Sequence, residues 1–132
     1  MPFVLDASIV VCWAFADEDD PKAVRAMDQM LAGAAFAPDL MWFEVRNALI
    51  MSERRQRTTA ADTARFLREL AEFPIHFDRT PDEAEVLRIA RAHRLTVYDA
   101  AYVELTRRLG IALATLDGDM ARAARREGIA LI

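Results

Sequence analysis

Cysteine, lysine, histidine and glycine are all scarce in this chain, and each shortage excludes something. Cys12 is the only cysteine in 132 residues, so neither a disulfide framework nor a thiolate zinc site can form within one chain. It lies in Ile9-Val10-Val11-Cys12-Trp13-Ala14-Phe15, a run that reads as a packed thiol rather than a nucleophile. His76 and His93 are too few and too scattered for an imidazole metal site. No apolar run approaches the roughly 20 residues that cross a bilayer. Met1-Pro2 leads straight into a first strand with no basic segment ahead of it, so the expectation is a cytoplasmic protein with no membrane association. Lys22 is the only lysine. Receiver domains and aspartyl-phosphate phosphatases both need a lysine late in the sheet, and none stands there. The first strand also ends Asp6-Ala7-Ser8, without the Asp-x-Asp of those phosphatases or the glycine-rich turn of a dinucleotide fold.

What is present is an apolar, helix-rich chain with acids at the ends of its elements. Hydrophobic residues make up 54% of the sequence, enough for a packed core in one domain spanning residues 1–132. Pro2 to Asp6 reads as a buried strand, followed by a helix from Ile9 to Ala16 with Ser8 as its cap. Asp20-Pro21 opens a second helix that stops at Gly33. Ala35-Phe36-Ala37 is a weak strand, and Asp39 caps a long helix to Arg55. Thr58 or Thr59 caps the next helix, which ends near Phe73-Pro74, and Ile75-His76-Phe77 is another strand. Thr80-Pro81-Asp82-Glu83 carries a helix-start pattern with Thr80 as cap. A helix after Thr96, a strand over Ile111 to Leu116, a helix from Met120 to Glu127 and a strand over Ile129 to Ile132 complete the chain. Short apolar strands alternating with helices predict an α/β fold: a mainly parallel sheet of four or five strands with helices on both faces.

Asp6 and Asp117 fall at strand ends, Asp99 opens a helix, and Glu44 shares a helix face with Asn47. Asp119 is close enough to Asp117 to join them or to face solvent. In an open α/β sheet the crevice beyond the carboxyl ends of the strands is where ligands bind. The expectation is that Asp6, Glu44, Asp99 and Asp117 converge there. Carboxylates so gathered repel one another, and a hard divalent cation such as Mg²⁺ or Mn²⁺ relieves them. A bound cation would also temper the net charge of −4, which otherwise argues against a polyanionic partner. Arginine, which carries nearly all the positive charge, suits phosphate contacts. On spacing alone the alternative stays open that each acid is only a helix cap or a surface residue.

Four blocks in order carry a resemblance: Val4-Leu5-Asp6-Ala7-Ser8, Phe43-Glu44-Val45-Arg46-Asn47-Ala48-Leu49, Leu95-Thr96-Val97-Tyr98-Asp99-Ala100-Ala101-Tyr102-Val103-Glu104-Leu105, and Ala114-Thr115-Leu116-Asp117. Together they resemble the acidic blocks of PIN-domain ribonucleases, and most of all the VapC toxins of type II toxin–antitoxin systems. The resemblance implies Mg²⁺-dependent endonucleolytic cleavage of RNA by metal-activated water, with Mn²⁺ as an alternative ion. It assigns Asp6 and Asp99 to metal, with Glu44 and Asp117 as their companions. Ser8, Asn47 and Thr115 become supporting polar residues, and Asp119 stands at a more variable position. It further implies a VapB-like antitoxin and a homodimer, with Trp13, Phe15, Met41, Trp42 and Met51 lining a groove for an antitoxin helix. A PIN-fold module that binds RNA or protein without cutting, or a general RNA-processing nuclease with no antitoxin, is the competing expectation.

Overall fold

In the computed structural model, which describes residues 1–132, strand β1 (Phe3–Leu5) runs through the middle of the molecule. All three of its residues are completely buried, because strands pair with it on both edges and helices cover it. The other strands are β2 (Ala35–Pro38), β3 (Ile75–Asp78) and β4 (Ala112–Ala114). Their order is β3-β2-β1-β4, and every pairing is parallel. Val4 sits opposite Phe36 on one side and Leu113 on the other, so the register aligns the carboxyl ends of β1 and β4.

The helices are α1 (Ala7–Trp13), α2 (Pro21–Ala32), α3 (Leu40–Arg54), α4 (Ala60–Leu70), α5 (Glu83–His93), α6 (Val97–Leu109) and α7 (Gly118–Arg126). From β1 through β2 to β3 the chain steps one way along the sheet, and from β3 to β4 it steps back past β1. Right-handed crossovers therefore place α1 to α4 on one face and α5 and α6 on the other. The direction of winding reverses between β1 and β4, which makes the gap beyond their carboxyl ends the topological switch point. Helix α6 packs against β1, β2 and β4. Its residues Ala100 to Thr106 are all buried, which is why that stretch of sequence is so apolar.

Several boundaries depart from the sequence reading. Helix α1 begins at Ala7 with Asp6 as its extended cap residue, and the Ser8 hydroxyl donates to Asp6 instead of capping a backbone N–H of the helix. Asp39 precedes α3 in helical conformation with no side-chain cap bond. Helix α4 stops at Leu70 and is capped by Thr59. Helix α5 is capped by Asp82, not Thr80: the helix starts at Glu83, so the Asp82 carboxylate is the one that reaches the Glu85 N–H. Helix α7 starts at Gly118 and not at Met120, with Asp117 accepting from the Met120 N–H. The expected final strand reduces to a bridge between Leu131 and Leu113. Gly110 ends α6 with φ of 67°, a left-handed value that the sharp entry into β4 requires and that glycine adopts without strain. Cys12 is buried as expected, its thiol directed at the Glu18 carbonyl.

Candidate active site at the switch point

Asp6 is the residue that follows β1, and its backbone N–H continues the ladder to the Ala114 carbonyl at 3.0 Å. Its side chain is 5% exposed. One carboxylate oxygen, Oδ2, accepts from the Ser8 hydroxyl at 2.6 Å and from the Thr115 hydroxyl at 2.7 Å. The network extends further. Ser8 Oγ accepts from the Leu116 N–H, and Thr115 Oγ1 accepts from the Asp117 N–H, both at 2.9 Å. Two hydroxyls thus lock the ends of β1 and β4 together and fix the Asp6 carboxylate over the switch point.

The other three acids arrive from three different helices. Asp117 caps α7, and its Oδ1 accepts from the Met120 N–H at 3.0 Å. Asp99 lies in the first turn of α6, where the hydroxyl of the cap residue Thr96 accepts from its backbone N–H at 3.1 Å. Glu44 projects from α3, and its Oε1 accepts from the Tyr102 hydroxyl at 2.6 Å.

These carboxylates sense one another. Burial pushes the Asp6 carboxyl upward, and the charge of Asp117 adds to the rise despite the lowering effect of Ser8 and Thr115. The Glu44 carboxyl is raised by burial and by Asp6 and Asp99, and the Asp99 carboxyl by burial and by Asp117 and Asp6. Every salt bridge in the molecule lies elsewhere: none involves Asp6, Glu44, Asp99 or Asp117. Such hard oxygen donors without an internal cation are the chemistry that suits Mg²⁺. No group of three or more of them is closed to metal-holding distance as it stands. Each oxygen named above is turned to its own donor.

The remaining candidates fare differently. Ser8 and Thr115 act on Asp6 directly. Asn47 is exposed on α3, three residues beyond Glu44. Asp119 is exposed and paired with Arg122, so it contributes to Asp99 only through its charge. Met41 and Phe15 of the expected groove belong to the core, and the Trp13 ring N–H is held by the Ala23 carbonyl at 2.9 Å. Trp42 alone of that set is exposed, with the Arg46 guanidinium stacked on it. Sequence reasoning gave no role to Tyr102. The available signal was its place three residues beyond Asp99, which puts both on one face of α6.

An all-parallel α/β sandwich with a buried acid, unpaired with any cation, at its switch point defines a class of protein. The chain belongs to the PIN-domain family, whose model matches residues 3–126. It is similar to Ribonuclease VapC3 of Pyrobaculum aerophilum, at 36% identity over 125 residues that cover 92% of this chain and 93% of the relative. Among solved structures, PAE2754 from Pyrobaculum aerophilum has a TM-score of 0.74 at 23% identity, over 93% of this chain and 84% of its own. FitAcB from Neisseria gonorrhoeae scores 0.69 at 15% identity, covering 98% and 96%. VapC20 of Mycobacterium tuberculosis, described as a sarcin-ricin loop cleaving toxin, scores 0.62 at 13%, covering 92% and 94%. At these identities the three structures establish the fold, and the fold is the one expected.

Proposed function

We propose that this chain is a Mg²⁺-dependent endoribonuclease, the toxin of a VapBC-type pair. The observation that carries the reading is the geometry at the switch point: Asp6, Glu44 and Asp117 accept only from hydroxyls and a backbone amide, and no arginine or lysine pairs with any of the four acids. The 36% identity to a protein named Ribonuclease VapC3 supports RNA as substrate. Asp6, Glu44, Asp99 and Asp117 would hold the ion, with Mn²⁺ able to replace Mg²⁺. When bound, such an ion acidifies a water and stabilises charge on a phosphoryl oxygen.

The protein's own groups provide the setting. Ser8 and Thr115 keep the Asp6 carboxylate in one rotamer and share its charge through two short bonds. Ser8 is committed in both directions, donating to Asp6 and accepting from Leu116, so it is not free to attack phosphorus. Cys12 is buried. Water is therefore the nucleophile that these residues are suited to orient.

The antitoxin is a small cognate protein. Its docking face would be the exposed Trp42 and Phe43 of α3 with Phe77, beside a hollow of about 210 Å³ lined by Met41, Val45 and Leu70. The test is digestion of a mixed RNA with and without Mg²⁺, repeated with Asp6→Asn and with the product of a neighbouring small gene. Cleavage that needs Mg²⁺, vanishes in D6N and is silenced by the partner supports the reading. Cleavage unchanged in D6N overturns it.

A further inference from the structure

Two of the four carboxylates are held from nearby in sequence. Asp6 has Ser8, two residues on, as well as Thr115 just past the adjoining strand. Asp117 has the Met120 N–H of the helix it caps, and Asp99 is fixed at its backbone, where the Thr96 hydroxyl accepts its N–H. Glu44 has nothing of this kind. It is the fifth residue of α3, past the turn whose free N–H groups could hold a carboxylate. It also carries one more rotatable bond than an aspartate, and so more freedom to lose. Its one hydrogen-bond donor comes from 58 residues away, the Tyr102 hydroxyl at 2.6 Å.

Tyr102 is completely buried. A ring needed only to fill that space would be served as well by phenylalanine, since burying a hydroxyl is costly unless it is bonded. The hydroxyl is bonded, and its partner is an acid of the crevice. Its helix position, one turn beyond Asp99, ties the placement of Glu44 to that of Asp99. Because the phenol occupies Oε1, Oε2 is the oxygen left for the crevice.

We propose that Tyr102 is a positioning residue for the site: its hydroxyl pins Glu44 Oε1 across the gap between α6 and α3, so that Oε2 faces the crevice as a single preset ligand atom. This inference rests on the reading of the crevice as a divalent-cation site. It extends that reading to a residue with no contact to the ion or the RNA. The device is the usual one by which an outer group orients a ligand, and its loss typically costs about 10- to 100-fold in ion affinity or activity.

The experiment is calorimetric titration of the metal-free chain with Mn²⁺, without RNA, on wild type, Tyr102→Phe, Glu44→Gln and the double variant. Y102F should weaken Mn²⁺ binding about 10- to 100-fold. The double variant should bind no more weakly than E44Q alone, because a pin acts only through what it holds. Y102F at wild-type affinity beside an impaired E44Q overturns the pin and leaves the site reading standing. Y102F adding its full effect to E44Q also overturns the pin. E44Q at wild-type affinity overturns both. Should Y102F fold poorly, the Tyr102 hydroxyl proton decides by NMR: protected in wild type and displaced in E44Q if it pins Glu44, contradicted if E44Q leaves it unmoved.

Discussion

The carboxylates at the switch point and those where α5, α6 and α7 meet are the same residue types in opposite surroundings. The Glu127 carboxylate, just past α7, accepts from Arg88 at 2.8 Å, is ion-paired with Arg107 at 3.0 Å and meets His93 Nε2 at 2.6 Å. Nearby, Arg108 joins Asp78 at 2.7 Å to the buried Glu104 at 2.9 Å. Arginine bonds hold the Glu127 carboxyl down at about 2 and lower Asp78 as well. At the switch point no arginine intrudes, the donors are hydroxyls and amides, and the carboxyls of Asp6, Glu44 and Asp99 are raised. An acid answered by arginine staples helices together. Acids answered only by neutral donors keep their charge available, and the fold bears the repulsion. Partners, more than acids, separate framework from site.

The largest way to break this contrast is at Asp6. Asp6→Asn retains an oxygen able to accept from both Ser8 and Thr115 but removes a charge. Single-turnover RNA cleavage should fall by on the order of 10³-fold, the equivalent of several kcal/mol of lost charge stabilisation. In metal-free buffer at neutral pH its melting temperature should rise, by roughly 4 °C for about 1 kcal/mol of relieved repulsion. A fall instead would mean that Asp6 is structural.

Glu127→Gln is the converse. It should cost about 2 kcal/mol in urea unfolding by leaving arginines under-paired, while the cleavage rate of the folded protein stays within twofold of wild type. A large loss of rate with intact folding would erase the distinction.

The two regions should also respond oppositely to acid. Glu127 has a lowered folded pKa, so its contribution is fully present above the ordinary value of 4.5 and is lost as pH falls toward about 2. Asp6, Glu44 and Asp99 have raised folded pKa values. Their repulsive cost is fully present above those raised values, and is relieved as pH falls toward the ordinary 3.8 and 4.5. Melting curves of metal-free D6N and E127Q, apart at neutral pH, should therefore converge as pH falls. The D6N advantage shrinks on acidification, and the E127Q deficit shrinks toward pH 2. Parallel curves would contradict the assignment.

The smallest effect is expected from Thr115→Val, which removes one donor from Asp6 and leaves the Asp117 N–H without its acceptor. It should cost about 1 kcal/mol of stability and lower the cleavage rate about tenfold, measured by melting and by RNA turnover.

The sheet, the α6 cap at Thr96 and the strand-end position of Asp6 were legible because they rest on local chemistry: apolar runs, a hydroxyl before a helix, an acid after a strand. The Thr80 cap misled because the helix starts two residues later than the pattern implies, at Glu83, where Asp82 is the residue that reaches a free N–H. Ile129 to Ile132 looked like a strand by composition, yet only Leu131 pairs, at the open edge of β4. At the site, the acids were readable one by one. Their partners were not, since the Thr115 bond to Asp6 spans 109 residues and the Tyr102 bond to Glu44 spans 58. No periodicity encodes a contact of that kind.

The central claim is that the un-neutralised acids at the switch point are a divalent-cation site and the arginine-bound ones are not. Thermal melting of metal-free protein against increasing Mg²⁺ tests it most directly, because an ion that binds only the folded state raises its stability by RT ln(1 + [Mg²⁺]/Kd). Wild type and E127Q should both gain melting temperature with Mg²⁺, and by the same increment, while D6N and Asp99→Asn should gain little. A wild-type melt indifferent to Mg²⁺, or a D6N melt that rises as much as wild type, would contradict the account.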